Sequence, residues 1–166
     1  MNTFFAELLD RLRLTLGLTD LRMDDSRQCS LEMDGFLLMV RYFPASNEIL
    51  LSTSVARLPA ETGNAQRLVL YRRLLQGQYF FQHSAGATLS LDSDESLVAL
   101  QQVENIRVLD HDGFLRMVEH FMQVADYWRE QCQHCLQAPA SALADSPAPG
   151  QSDGVSRNPF DLGLRV

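Results

Sequence analysis

The stretch Gln28–Phe43, QCSLEMDGFLLMVRYF, decides the fold of this chain. Asp34 and Gly35 stand between two strand-like runs in it. An Asp-Gly pair favours a tight type I′ turn, because both central residues of that turn need a positive φ. The stretch therefore predicts an antiparallel hairpin whose register is set by a two-residue loop.

The predicted register separates the hairpin into two faces. One face is entirely apolar and is expected to meet the core; it consists of Cys29, Leu31, Met33, Phe36, Leu38 and Val40. The other face pairs Glu32 with Leu37, Ser30 with Met39 and Gln28 with Arg41. An antiparallel strand with one solvated face normally carries polar residues there. Leu37 and Met39 therefore form an apolar island, which either another element of this chain or a partner protein must cover.

A third strand is predicted over Glu48–Ala56, after the turn that follows Phe43. If Phe43 pairs with Glu48, the alternating residues of this strand agree with the hairpin on which face is inward. Leu50 then joins the outer island. Pro59 ends the strand run because it cannot donate to a ladder hydrogen bond.

Helices and further strands complete the predicted order. The second helix is apolar on two sides, with Leu68 and Leu75 on one and Leu70 and Leu74 on the other, so it needs two things to pack against. The expected elements are a first helix ended by Gly17, a second from Thr62 to Gln76 closed by Gly77, strands at Gly86–Asp92 and Leu97–Val103, and a third helix starting at Asp110 or Asp112. The fold class predicted is α+β, with three helices and an antiparallel five-stranded sheet in the order α-β-β-β-α-β-β-α.

The composition changes at Ala138, where Pro, Ala, Ser and Gly become frequent. Such a segment buries too little apolar surface to fold, so we expect one domain over residues 1–137 and a disordered tail over residues 138–166. Residues 158–166 regain apolar side chains, and this end of the tail is expected to dock on some surface.

The charge, the apolar run lengths and the cysteine count argue against binding to nucleic acid, insertion into a membrane and export. The net charge of −7 argues against a nucleic-acid partner, since that binding needs clustered positive charge. No apolar run reaches the ~20 residues of a membrane span, so no membrane insertion is expected. Glu7 and Asp10 interrupt the apolar pattern of the N-terminus, which does not resemble a secretory signal. With three cysteines, the chain is expected to hold reduced thiols in the cytoplasm.

Two short motifs resemble parts of metal-binding sites. Cys132 and Cys135 share a helix face, but His134 points about 200° away from Cys132, and zinc needs four convergent ligands. We expect these thiols at the solvent edge of a fraying helix. The segment Asp92–Ser96 opens like a calcium loop, yet Leu97 stands where that loop needs glycine, so a solvated turn is predicted.

No nucleophile with a partner base is evident. The sequence contains no G-x-S-x-G, H-E-x-x-H, P-loop or G-x-G-x-x-G motif. His83 and His111 are read as loop or cap residues. We therefore predict a protein with no catalytic residue, no metal and no cofactor.

The order of elements resembles the class I chaperones of bacterial type III secretion systems, the Tir-chaperone family. The resemblance covers roughly residues 3–137. It is carried by Leu8-Leu9 to Leu18, Cys29-Ser30-Leu31 with Asp34-Gly35, Leu58-Pro59, Leu74-Leu75, Gly86–Asp92, Leu97–Leu100 and Phe114–Trp128. Where family members often have Ala-Asn, this chain has Gln76-Gly77-Gln78, and the subtype stays open.

The resemblance implies a homodimer without enzymatic activity in the bacterial cytoplasm. Such a protein holds the N-terminal segment of a secreted effector in extended form and delivers it to the secretion apparatus, whose ATPase is a further expected partner. The alternative within the same fold is a regulatory protein that sequesters a secretion regulator or anti-activator. A small enzyme or metal protein using Cys132 and Cys135 is a third hypothesis.

The resemblance also nominates site residues. Family members dimerise through the second helix and the fourth strand, which selects Leu68, Leu70, Leu74, Leu75 and Leu89. Their clients wrap on the first helix and the sheet by apolar pockets and added strand pairing, which selects Phe5, Leu9, Leu37, Met39 and Leu50.

Overall fold

The computed structural model describes residues 3–19 and 21–137, so the predicted tail at 138–166 lies outside the described residues. Two short 3₁₀ turns, Tyr79–Phe81 and Ile106–Val108, accompany the helices and strands. The elements are α1 (Thr3–Thr15), β1 (Gln28–Met33), β2 (Phe36–Phe43), β3 (Glu48–Arg57), α2 (Asn64–Gln78), β4 (Thr88–Leu91), β5 (Leu97–Asn105) and α3 (His111–Gln137). The predicted α+β class and element order are confirmed.

The five strands form one antiparallel sheet in the order β1-β2-β3-β5-β4. The hairpin register is the predicted one, with Met33 opposite Phe36 and five further pairs in step. Asp34 and Gly35 have φ of 52° and 76°, the positive values that the Asp-Gly turn requires. Phe43 pairs with Glu48, again as predicted.

Helices α1 and α3 cover the inner face of the sheet and form the core with it. Burying each large apolar side chain contributes about 1.5–3 kcal/mol. The largest fully buried side chains of the core are Trp128, Phe5, Phe114, Phe121, Leu8, Leu12, Leu38, Ile49, Leu51, Leu70, Leu100 and Ile106. Gly17, at φ 65°, follows the end of α1 as expected. Asp110 immediately precedes α3 and caps it, because its Oδ1 accepts the N–H of Gly113 at 2.6 Å.

The bounds of α2 differ from the prediction. The helix is preceded by Gly63, whose N–H donates to Gln66 Oε1 at 3.3 Å, and it continues through Gly77 to Gln78. Gly77 is inside the helix because its bare backbone lies against the Trp128 indole. The helix ends instead where Phe80 takes a left-handed conformation, with φ 50° and ψ 27°.

The prediction that Cys132 and Cys135 lie at the solvent edge is wrong. Both thiols are buried, because α3 continues to Gln137 and packs on α2, where Gln66 Nε2 donates to the Leu136 carbonyl at 3.0 Å. Burial raises the pKa of Cys132 to about 12, with a smaller effect of Cys135, and also raises the pKa of Cys135.

Candidate protein-binding surfaces

The outer face of the sheet carries a continuous line of apolar side chains, here called the outer row: Leu37, Met39, Leu50 and Val103. The row crosses three strands, because Leu50 of β3 lies directly opposite Val103 of β5 and diagonally from Met39 of β2. Met39 and Leu50 are half-buried, whereas Leu37 and Val103 at the two ends are 62% and 53% exposed. Within residues 3–19 and 21–137, no element covers these ends.

The register thus brings together the three predicted outer residues, Leu37, Met39 and Leu50. Val103 was not predicted as a site residue. The signal was available, since alternation within Leu97–Val103 puts Val98 and Leu100 on one face and Val103 on the other. Pairing that strand with β3 would have placed Val103 beside Leu50.

Two residues nominated for client contact on α1 lie in the core. Phe5 is fully buried and stacks on Tyr42 with ring centroids 5.0 Å apart. Leu9 is also buried, because it shares the face of α1 that packs on the sheet. Their contact with a client stays a prediction, and it would require this part of the core to open.

The outward side of α2 forms a second apolar surface, here called the α2 groove. Leu68 and Leu75 are 69% and 73% exposed and lie one heptad apart on the same side of the helix. Together with them, Tyr71, Arg72, Gln76 and Tyr79 line the groove. Phe80 and Phe81, which are also exposed, extend the apolar surface beyond Tyr79.

The other three residues nominated for a dimer contact have different surroundings. Leu70 and Leu74 are buried on the inward side of α2, so they hold the helix on its own protomer. Leu89 of β4 is half-buried, and its N–H donates to Gln78 Oε1 at 2.8 Å. The inward side of α2 thus packs within the described chain, whereas packing of the outward side, where Leu68 and Leu75 are exposed, stays a prediction.

Polar contacts fix α2 on α3. Arg73 donates to Gln131 Oε1 at 2.7 Å and to the Tyr127 hydroxyl at 3.3 Å. His83 lies nearby, and burial together with the Arg73 charge lowers the pKa of its imidazole. Trp128 Nε1 donates to the His83 carbonyl at 2.8 Å, so the turn after α2 is tied to α3 as well.

The carboxylate of Asp92, in the segment that opens like a calcium loop, has hydrogen-bond partners within its own turn. Asp92 accepts the N–H groups of Leu97 and Ser96 and the Ser96 hydroxyl, and these bonds lower the pKa of its carboxyl. The segment is thus a turn, as predicted. In the described part of the chain, no three His, Cys, Asp or Glu side chains converge as metal ligands would. No helix there is long and apolar enough to cross a membrane.

The model of the Tir chaperone protein (CesT) family matches residues 7–129 of this sequence. The chain belongs to the Tir chaperone protein family. The identification from the order of elements and their motifs is confirmed, and with it the predicted chaperone class. This family is a family of chaperones rather than a class of enzymes.

Solved structures share the Tir-chaperone fold. A chain of the HopA1–SchA chaperone–effector complex is 25% identical, with a TM-score of 0.58, over 78% of this chain and 95% of that one. A chain of the ExsC–ExsE complex is 18% identical, with a TM-score of 0.63, over 78% and 96%. The Yersinia pestis type III secretion chaperone SycH, in complex with a fragment of YscM2, gives 17% and 0.53 over 75% and 98%. At these identities the last two show the fold alone.

A protein of Chlamydia pneumoniae is similar in sequence. It is 33% identical over 84 residues, which make up 51% of this chain. The match spans 61% of the length of that relative.

Proposed function

We propose that this protein is a type III secretion chaperone that binds the N-terminal segment of one or more effector proteins in extended form and keeps them soluble and secretion-competent. Family membership supports the chaperone class. The observation that carries the proposal is the outer row, an apolar line that ends in the exposed side chains of Leu37 and Val103. A folded protein exposes such a line at the cost of solubility unless it binds a partner.

The outer row suits an extended segment because it is a single line of apolar side chains. An extended client chain could lie along this line across β2, β3 and β5. Each apolar client side chain buried on Leu37, Met39, Leu50 or Val103 contributes up to about 1.5–3 kcal/mol before the costs of ordering the client. The free edge of β1 offers main-chain groups for added strand pairing. In this proposal Phe5 and Leu9 support the sheet from its inner side unless a client opens the core.

The proposed chaperone is a homodimer that pairs through the α2 groove. Leu68 and Leu75 are the proposed dimer residues with exposed side chains. Leu89 would contribute from β4, where its N–H donates to Gln78 of α2. Leu70 and Leu74 act indirectly by holding α2 on α3. Covering the exposed apolar side of α2 with a second copy of the chain would remove these side chains from water and so stabilise the dimer.

The proposed protein works in the bacterial cytoplasm without catalysis, metal or cofactor and delivers its client to the ATPase of the secretion apparatus. The chaperone domain comprises residues 1–137, and residues 138–166 form a separate tail. Support for a protein without catalysis comes from the family, which is not an enzyme class. The candidate metal ligands also have structural roles, since Asp92 bonds within a turn and Cys132 and Cys135 are buried in the core.

Capture of effectors by tagged full-length protein in a bacterium with a type III secretion system tests the proposal. Leu37→Glu should lower the yield of co-purified effector at least fivefold while the chaperone stays folded, because the charge lies outside the core. Val108→Glu is a matched control, since Val108 is 72% exposed but lies outside the row. Capture of a secretion regulator instead would favour the sequestering role, and equal capture by both variants would contradict a client site on the row.

A further inference from the structure

We infer that residues 158–166 of this chain dock on the outer row and cover it when no client is bound. The inference rests on the proposed function, because it treats the row as the client site. It assigns to the tail the role of an internal competitor for that site. The segment, NPFDLGLRV, lies outside the described residues, and its sequence pattern and reach carry the argument.

The apolar residues of this segment recur at every second position. They are Phe160, Leu162, Leu164 and Val166, and they alternate with Asp161, Gly163 and Arg165. Strict alternation is the pattern of an extended chain with one apolar face, since successive side chains in a strand point to opposite sides. The segment thus has the sequence pattern of the extended, one-sided chain that the outer row is proposed to select in a client.

The apolar face of the segment is long enough to span the row. From Phe160 to Val166 an extended chain spans about 20 Å, at about 3.3 Å per residue. The two ends of the row, Leu37 and Val103, are about 16 Å apart, from four residue steps along β2 and two strand spacings across the sheet. The four apolar side chains of the segment can therefore cover the row from end to end. Asp161 and Arg165 cancel, so the negative charge of the whole chain does not repel the segment.

The structure places the origin of the tail within reach of the row. Arg129 of α3 donates to the Asp34 carbonyl at 3.2 Å, so α3 passes the turn that precedes Leu37. The helix ends at Gln137, about 12 Å further along its axis. Residues 138–157 are rich in Pro, Ala, Ser and Gly. A coil of 20 residues has a root-mean-square span of about 25 Å, which is long enough to reach the outer face.

Tethering makes even weak docking effective. A coil of this length holds a tethered segment at an effective concentration in the millimolar range. If the free segment binds with a Kd of roughly 100 μM, the tethered segment occupies the row about nine-tenths of the time and weakens any competitor about tenfold. An effector with more anchors displaces it, so the row is covered until a client arrives.

The test uses the full-length protein and a labelled peptide of residues 157–166, RNPFDLGLRV. The double variant Leu162→Glu with Leu164→Glu disables the tethered segment while leaving the described domain unchanged. Fluorescence anisotropy should show the peptide binding this variant about tenfold more tightly than the unaltered chain. Equal affinity for both chains, or no binding to either at about 1 mM peptide, would overturn the inference.

Further substitutions in the double variant locate the site. Leu37→Glu should abolish peptide binding and Val108→Glu should not. Val103→Glu, at the other end of the row, gives the same test if Leu37→Glu unfolds the protein. Loss of binding with Leu68→Glu, but not with Leu37→Glu, would put the segment in the α2 groove and overturn the inference. No effector is needed, so failure here leaves effector capture, the test of the proposed function, unaffected.

Discussion

The backbone of Gly77 packs directly against the indole of Trp128. A Cβ placed on Gly77 would lie 2.2 Å from Cζ2 and 2.3 Å from Cη2 of Trp128. The indole cannot move away easily, because it is fully buried and its Nε1 donates to the His83 carbonyl. The close approach of α2 to α3, and hence the position of the α2 groove, depends on this glycine.

We expect Gly77→Ala to lower the free energy of unfolding by about 2–3 kcal/mol, because the overlap outweighs the gain of about 1 kcal/mol in helix propensity. Urea unfolding measures the change. Gly63→Ala is the control, since a Cβ there meets only Gln66 Oε1 at 3.8 Å. Equal effects of the two substitutions would show that the contact with Trp128 does not restrict residue 77.

Gly35 is required for a different reason, namely its φ of 76° in the hairpin turn. A Cβ there would have ordinary contact with Arg129 Nη1 at 3.6 Å, so the cost of substitution is in the backbone. Gly35→Ala should destabilise the protein by about 1 kcal/mol, and Gly35→Asn by less, because Asn tolerates left-handed φ. Thermal unfolding of both variants checks the order, and a larger loss for Asn would contradict it.

The dimer proposal predicts that substitutions on the two sides of α2 have different effects. Leu68→Glu or Leu75→Glu should give folded monomers, because both side chains are exposed in the protomer. Leu74→Glu should unfold the protein, since it places a charge in the core. Sedimentation velocity with circular dichroism distinguishes these outcomes. Dimers that persist in both Leu68→Glu and Leu75→Glu would place the interface elsewhere.

The buried thiol of Cys132 predicts a loss of stability at alkaline pH. Its folded pKa is raised to about 12 from an ordinary value of 9.0, so its contribution is complete below pH 9 and is lost as pH rises from 9 towards 12. Between pH 8 and pH 10 the unaltered chain should lose roughly 1 kcal/mol more than Cys132→Ala, measured by urea unfolding under reducing conditions. Equal losses would mean that the thiol is not protected from ionisation.

Local signals predicted much of this fold because they act over a few residues. The Asp34-Gly35 turn sets the hairpin register, and alternation then assigns each side chain of β1 to β3 to a face. Caps and glycines are less reliable. Gly77 was read as a helix end, because the sequence does not reveal that a tryptophan 51 positions later lies against it.

The sequence by itself determined the element order, the hairpin register and the outward position of Leu37, Met39 and Leu50, since periodicity and turn chemistry are local. Only the tertiary structure decided which apolar residues stay exposed. It buried Phe5 and Leu9 beneath the sheet, placed Cys132 and Cys135 in the core, and left Leu68, Leu75 and Val103 exposed within the described residues. Burial depends on which distant segments pack together, and no local pattern records that.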